Sequence, residues 1–135
     1  CLGDRLIIHD YLVDERWLCR IVPAEFLHFY KQQEEKQMNA SVAIQSLPDA
    51  ANDEELIRIV DEVIAYIKST GLNYYVGPFE TTIEGDYDEL MDIVKECQHI
   101  AVRAGAPHVA AYIKVSYRPE GDVLSIEKKV SKHHE

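Results

Sequence analysis

Two short stretches of this sequence carry polar side chains on alternate positions, the spacing that places side chains on one face of a β-strand. Ser41 and Gln45 lie in the first stretch, and Thr82 and Glu84 lie in the second. They offer two hydroxyls, one amide and one carboxylate. Such a set can bind a small, flat ligand with positive charge, because the carboxylate offsets the charge and the hydroxyls fix the orientation.

An aromatic side chain near these residues would add a stacking surface for the ligand. Tyr74 and Tyr75 lie a few residues before Thr82, and either ring could supply a cation–π attraction of roughly 0.5 to 2 kcal/mol. The polar face also has an alternative use, because open sheet faces commonly pack against another subunit. Ligand binding and self-association are both open, and the two can coexist.

No spacing in the sequence is typical of catalysis, metal binding or nucleotide binding. No nucleophile has an orienting base, so no catalytic residue is predicted, and an enzyme with Glu84 as general base is kept as a minor alternative. Cys97 and His99 would point to different sides of a helix, which disfavours a metal site. Gly85 is followed by Asp86 and by no further glycine, which disfavours a phosphate-binding loop.

The composition limits the classes of partner that the protein is expected to bind. Its 135 residues hold 14 Lys and Arg against 24 Asp and Glu, a formal net charge of −10. This acidity disfavours nucleic acid or an anionic membrane as the main partner, and no apolar run approaches the roughly 20 residues of a membrane span. Cys1, Cys19 and Cys97 are odd in number and widely spaced, and no signal peptide is visible. We expect a cytoplasmic protein with a small-molecule ligand and no cofactor.

The strands that would position the polar residues are indicated by alternating or β-branched runs. They are expected at Ala40–Gln45, Asn73–Gly77, Glu80–Glu84 and His108–Tyr117. Alternation should send one set of residues toward the helices: Val42, Ile44, Thr81, Ile83, Val109, Ala111, Ile113 and Val115. It should send another set to the opposite face: Ser41, Gln45, Glu80, Thr82, Glu84, Tyr112, Lys114 and Ser116.

The helices are indicated by two capping boxes and two stop signals. Asn52 with Glu55 should begin one helix that ends at Gly71, and Asp86 with Glu89 should begin another that ends near Gly105. A short terminal helix is expected over Asp122–Lys132.

The resulting order, β-α-β-β-α-β, is typical of the ferredoxin-like α+β sandwich, a four-stranded antiparallel sheet with two helices on one face. The short C-terminal helix is an addition to it. The first and third strands are then central, so Ser41 should lie beside Glu84 and near Thr82. The other sheet face is left without helices, and function should be sought there.

We expect the domain to cover residues 38–135 and residues 1–37 to be an N-terminal extension. The extension mixes apolar and charged residues without a sustained period, and Met38 is the first methionine and the expected start. The alternative is an amphipathic helical arm built from apolar residues between Leu2 and Val22. Residues 38–135 hold nine Lys and Arg against seventeen Asp and Glu, so most of the acidity lies in the domain.

The segment Thr81–Asp86, TTIEGD, followed by Asp88-Glu89-Leu90, resembles the small thiamine-binding protein family. The resemblance runs from residue 38 into the tail and includes further segments: Ala40–Gln45, Ser69–Leu72, Ala104–Ala106, Ile113-Lys114 and Glu127–Val130. One departure is the first loop, where Leu47–Ala51 replaces a small, glycine-containing turn.

The resemblance implies a ferredoxin-like subunit that forms homodimers or homotetramers through its sheets and binds thiamine or its hydroxymethylpyrimidine part without catalysis. By position in the matching motifs, Thr82 and Glu84 are the main ligand candidates, and Ser41 is the third. Tyr74 and Tyr75 are the candidates for stacking. The alternative is a structural or regulatory homo-oligomer with no small-molecule ligand.

Overall fold

The computed structural model describes residues 5–8, 11–14, 20, 23, 25–26 and 37–134, and it divides the chain into two compact units, residues 1–36 and 37–135. In the first unit, β1 (Arg5–Ile8) and β2 (Tyr11–Asp14) pair as an antiparallel hairpin. The alternative of a helical arm is therefore wrong for these eight residues. Its remaining apolar positions, such as Leu2 and Val22, lie outside the described residues.

Both long helices of the second unit begin where their capping boxes predict. The first, α1 (Asp53–Ser69), starts after Asn52, whose Oδ1 accepts a hydrogen bond from the Glu55 N–H at 2.9 Å. The second, α2 (Tyr87–Arg103), starts after Asp86, whose Oδ2 accepts from the Glu89 N–H at 3.2 Å. Gly71 follows α1 with φ of 74°, a left-handed conformation that glycine adopts without strain.

Four strands of this unit form one antiparallel sheet. They are β3 (Ala40–Pro48), β4 (Asn73–Val76), β5 (Thr81–Gly85) and β6 (Val109–Tyr117), in the spatial order β4-β5-β3-β6. The first and third strands of the βαββαβ order are therefore central, and the predicted ferredoxin-like fold is confirmed.

The core lies between the sheet and the two long helices. Strand residues Val42, Ile44 and Ile83 are buried there. They pack with a set of buried helix residues: Ile59, Val63, Ile67, Leu90, Ile93, Val94 and Cys97. Each large apolar side chain that is fully buried contributes roughly 1.5 to 3 kcal/mol.

The edge strand β6 departs from the expected burial. Val115 pairs with Val42 and Ile113 pairs with Ile44, so their side chains lie on the predicted face of the sheet. Both side chains are nevertheless exposed, Val115 by 46%. Burial is lost because β6 is an edge strand, at which the cover provided by the helices ends.

The C-terminal segment packs against the second face of the sheet, where the Ile126 N–H donates a hydrogen bond to Glu84. Its helix α3 (Ile126–Val130) and a following 3-10 turn (Ser131–His133) are shorter than the predicted Asp122–Lys132. Ser125 caps α3, because its Oγ accepts a hydrogen bond from the Lys128 N–H at 3.2 Å. The second sheet face, expected to lack helices, is in fact partly covered by this short helix.

Candidate functional site

Strand pairing arranges the polar side chains of the second sheet face in rows. One row crosses all four strands through Asn73, Glu84, Ser41 and Ser116. The next row crosses them through Tyr75, Thr82, Ala43 and Lys114. The central position of the second row holds only a methyl group, so the sheet surface is depressed between Thr82 and Lys114.

A cavity of about 290 Å³ lies over this depression, at the lower end of the roughly 300–1,000 Å³ of small-molecule sites. Its floor is formed by five sheet residues, Ser41, Ala43, Thr82, Lys114 and Ser116, and Tyr75 of the edge strand β4 lies at its side. The tail contributes Ile126, Lys129 and Val130, and the remaining lining residues are Glu80 and Val115. The cavity therefore lies between the sheet and α3.

Three of the five predicted site residues meet in this cavity. Ser41 is only 5% exposed, and Thr82 lines the floor beside Ala43. Tyr75 forms a side wall, and its hydroxyl lies 3.1 Å from Nε2 of His134. Two hydroxyls and one aromatic ring are thus available to a ligand.

Tyr74 lies on the other side of the sheet. It pairs with Ile83, a core residue, and it packs against the core with its side chain partly buried. Of the two tyrosines that the sequence offered for stacking, Tyr75 is therefore the one in the cavity. A role for Tyr74 in ligand binding stays a prediction without support from this geometry.

Glu84 lies beside Ser41 but does not line the cavity. It is 5% exposed, and both of its carboxylate oxygens accept hydrogen bonds, Oε1 from Asn73 Nδ2 at 2.6 Å and Oε2 from the Ile126 N–H at 2.8 Å. Burying a carboxylate is unfavourable unless such bonds compensate. The geometry therefore gives Glu84 the task of fastening α3 to the sheet, and its predicted contact with a ligand stays a prediction.

The carboxylate that does line the cavity belongs to Glu80. Its Oε1 accepts a hydrogen bond from Lys114 Nζ at 2.8 Å, and both side chains are partly or largely exposed. Glu80 and Lys114 belong to the polar face predicted from strand alternation, but they were not among the five predicted site residues. The cavity contains no further acidic residue.

The contribution of the tail was missed at the level of sequence. Ile126, Lys129 and Val130 recur at positions i, i+3 and i+4, which places them on one face of a short helix. This spacing could have indicated, from sequence, that the three side chains share one face of a helix. It does not say which surface the helix covers, because the contact with Glu84 joins residues 42 positions apart.

The structure of residues 37–134 offers little basis for a metal site or a reactive thiol. No group of three or more His, Cys, Asp or Glu in the described part of the chain is placed to hold a metal ion. Cys97 is buried in the core, and burial raises the pKa of its thiol to about 12, so this thiol is a poor nucleophile. None of the described helices combines the length and apolar character needed to span a membrane.

Residues 42–134 match the family model described as thiamine-binding protein. A UPF0045 protein of Clostridium perfringens is 42% identical over 93 residues, which cover 69% of this chain and 95% of that protein. A structure from Bacillus cereus, described as domain of unknown function DUF77, is 37% identical with a TM-score of 0.64, covering 73% of this chain and 91% of that one. A Thermotoga maritima structure, described with a proposed part in thiamine biosynthesis or salvage, is 35% identical with a TM-score of 0.62. The match covers 70% of this chain and 98% of that one.

Proposed function

Because the chain belongs to the thiamine-binding protein family, we propose that it binds thiamine or a related hydroxymethylpyrimidine compound and does not transform it. The observation that carries the proposal is the cavity between the sheet and α3, with Ser41, Thr82 and Tyr75 in its lining. We further propose that residues 38–135 form the binding domain and that it acts in the cytoplasm.

The chemistry of an aminopyrimidine fits this lining. Its ring nitrogens accept hydrogen bonds and its amino group donates them, and a hydroxyl such as Ser41 or Thr82 can do either. The flat ring can stack on Tyr75, and a positively charged ring gains cation–π attraction there. The floor at Ala43 leaves room for the ring, because no side chain larger than a methyl group projects from the centre of the second row.

The absence of catalysis is proposed from the lining of the cavity. It contains no cysteine and no histidine, and its one carboxylate, that of Glu80, is paired with Lys114. Within residues 37–134 the hydroxyls of Ser41 and Ser116 make no hydrogen bond to Glu80, Lys114 or Lys129, the lining groups that could activate them as a base. A binding function therefore accounts for these residues better than a reaction does.

Isothermal titration calorimetry tests the proposal directly. The full chain is titrated with thiamine and with hydroxymethylpyrimidine, and pyridoxine serves as a control of similar size and polarity. We expect heat of binding with at least one of the first two compounds and none with pyridoxine. If thiamine, its phosphate esters and hydroxymethylpyrimidine all give no heat, the proposed function is wrong.

Self-association is a second proposal, carried by strand β6. This nine-residue edge strand pairs only with β3 within residues 37–134, and it presents exposed Ile113, Val115 and Tyr117. A long edge with apolar side chains is a template for pairing with another chain. We propose that two copies pair along β6 in a homodimer or homotetramer, which is compatible with ligand binding but would also serve a purely structural homo-oligomer.

A further inference from the structure

The charges around the cavity differ from those of the rest of the unit. Its lining contains two lysines, Lys114 and Lys129, against one carboxylate, that of Glu80. Residues 38–135 as a whole carry nine Lys and Arg against seventeen Asp and Glu. A surplus of positive charge at one cavity of an acidic domain indicates a ligand that carries negative charge.

The surplus positive charge of the lining comes from the C-terminal residues 126–134, which include α3. Residues 126–134 hold three lysines against one glutamate, and Lys129 is the one whose side chain borders the cavity. Within residues 37–134 the ammonium group of Lys129 has no hydrogen-bonding or ion-pair partner. Lys129 is therefore free to contact a ligand.

Lys114 can also serve an anion. In its ion pair with Glu80 the lysine side chain is 70% exposed and the glutamate side chain 31%, and ion pairs that solvent reaches contribute little to stability. Lys114 Nζ can therefore reorient towards a ligand at small expense. Glu80 would then remain as a carboxylate beside any cationic ring in the cavity.

We infer that the ligand is a phosphate ester of the pyrimidine compound, with the phosphate held between Lys114 and Lys129. This inference rests on the proposed function and adds the charged class of the ligand to it. A phosphate monoester carries about −1.5 to −2 charges at neutral pH. Thiamine monophosphate also carries one positive charge on its thiazolium ring, so its two signs of charge match the two lysines and Glu80.

The inference is tested by comparing thiamine monophosphate with thiamine on the full chain. We expect the ester to bind roughly ten- to a hundredfold more tightly, the range typical of a charge-assisted hydrogen bond. The preference should shrink as salt is raised, because exposed charges are screened. Inorganic phosphate is titrated in parallel, and it should compete with the ester only weakly because it lacks the ring.

Lysine variants locate the phosphate. Lys129→Gln and Lys114→Gln should each lower the ratio of the affinity for the ester to the affinity for thiamine about tenfold. Lys128→Gln is the matched control, since Lys128 is the adjacent residue of α3 and does not line the cavity. Circular dichroism melts of all three variants check that the fold is retained.

The outcomes separate the two proposals. If thiamine binds but its monophosphate binds no more tightly, the inference is wrong and the proposed function stands. If the preference for the ester persists in both lysine variants, the inference is also wrong. If neither thiamine nor its monophosphate binds, the inference is wrong, and the proposed function fails with it only if hydroxymethylpyrimidine and the other phosphate esters of thiamine also give no heat.

Discussion

At the scale of single residues, the most informative position of the site is one that carries no functional group. Ala43 lies at the centre of the second row, between Thr82 and Lys114, where its small side chain leaves the floor of the cavity open. Polar residues around it supply the hydrogen bonds. The space in which a ligand can reach them is created by the alanine.

Filling this space should abolish ligand binding without damage to the fold. Ala43→Ile adds three carbon atoms to the floor, and isoleucine is well suited to a strand. We expect calorimetry to show no binding of thiamine or its monophosphate. Ala110→Ile is the control, because Ala110 lies on the exposed edge strand β6 and outside the cavity lining; unchanged binding by Ala43→Ile would show that the ligand lies elsewhere.

Glu84 is predicted to act on α3 rather than on a ligand. Glu84→Ala leaves the buried Ile126 N–H without an acceptor, so the free energy of unfolding should fall by roughly 1 to 3 kcal/mol, and the amides of residues 126–134 should exchange faster with solvent. Hydrogen exchange and chemical denaturation measure the two effects, with Glu120→Ala on an exposed loop as control. Lost binding with unchanged protection of the tail would instead make Glu84 a ligand contact.

The buried thiol of Cys97 is predicted to make the free energy of unfolding fall as the pH becomes alkaline. Burial raises the pKa of its thiol from 9.0 to about 12, so between these values the folded chain retains a proton that the unfolded chain releases. The contribution of this residue to stability is therefore complete below pH 9 and is lost as the pH rises towards 12. Denaturation at pH 8 and pH 10.5 should show a smaller loss of stability for Cys97→Ala than for the parent protein; equal losses would contradict the assignment.

At the scale of elements, β6 combines two properties that are rarely tolerated together in an isolated chain. It is long, and it exposes apolar side chains on the edge of the sheet. Charged residues usually protect such an edge, but Lys114 is the only charged residue among its nine. A second copy of the strand would cover these side chains.

A charge placed on this edge should therefore disrupt assembly. Val115→Lys is expected to shift the protein from dimer or tetramer to monomer in light scattering coupled to size exclusion. Val102→Lys on α2 is the matched control, because Val102 is exposed to a similar degree, 52% against 46%. If the two variants have the same mass as the parent protein, β6 is not the interface.

The elements also differ in how far their sequence predicts them. The capping boxes at Asn52 and Asp86 define both long helices, because their hydrogen bonds are local and reach only three residues. Strand alternation assigns Ser41 and Thr82 to the sheet face on which the cavity lies. This prediction is also local, because successive side chains of any strand point to opposite faces of the sheet. The docking of α3 escapes prediction, since it depends on Glu84 meeting Ile126, a contact between distant parts of the chain.

At the scale of the whole molecule, the chain consists of two compact units, residues 1–36 and 37–135. The family match at residues 42–134 falls within the second unit, as do all residues that line the cavity. The fold class followed from sequence, and so did the sheet face on which the cavity lies. The hairpin in the first unit did not, because Arg5–Ile8 and Tyr11–Asp14 are too short to show a period that separates strand from helix.

Removal of the first unit should leave the second intact. A chain that begins at Met38 is expected to keep the thermal midpoint and the ligand affinity of the full chain, because the core and the cavity are formed within residues 37–135. Differential scanning calorimetry and ligand titration measure both quantities. A drop in the midpoint by several degrees would mean that residues 1–36 support the domain.

The pairing of β3 with β6 has a consequence for the rate at which the domain folds. Nine residue pairs join these strands, from Ala40 with Tyr117 to Pro48 with Val109, and each closes a loop of about 60 to 80 residues. Closing such loops consumes chain entropy before any contact compensates for it, so domains rich in distant pairings fold slowly, in milliseconds to seconds. Until that step is complete, the central strand β3 has one unpaired edge, and the side of the cavity that Lys114 forms does not yet exist.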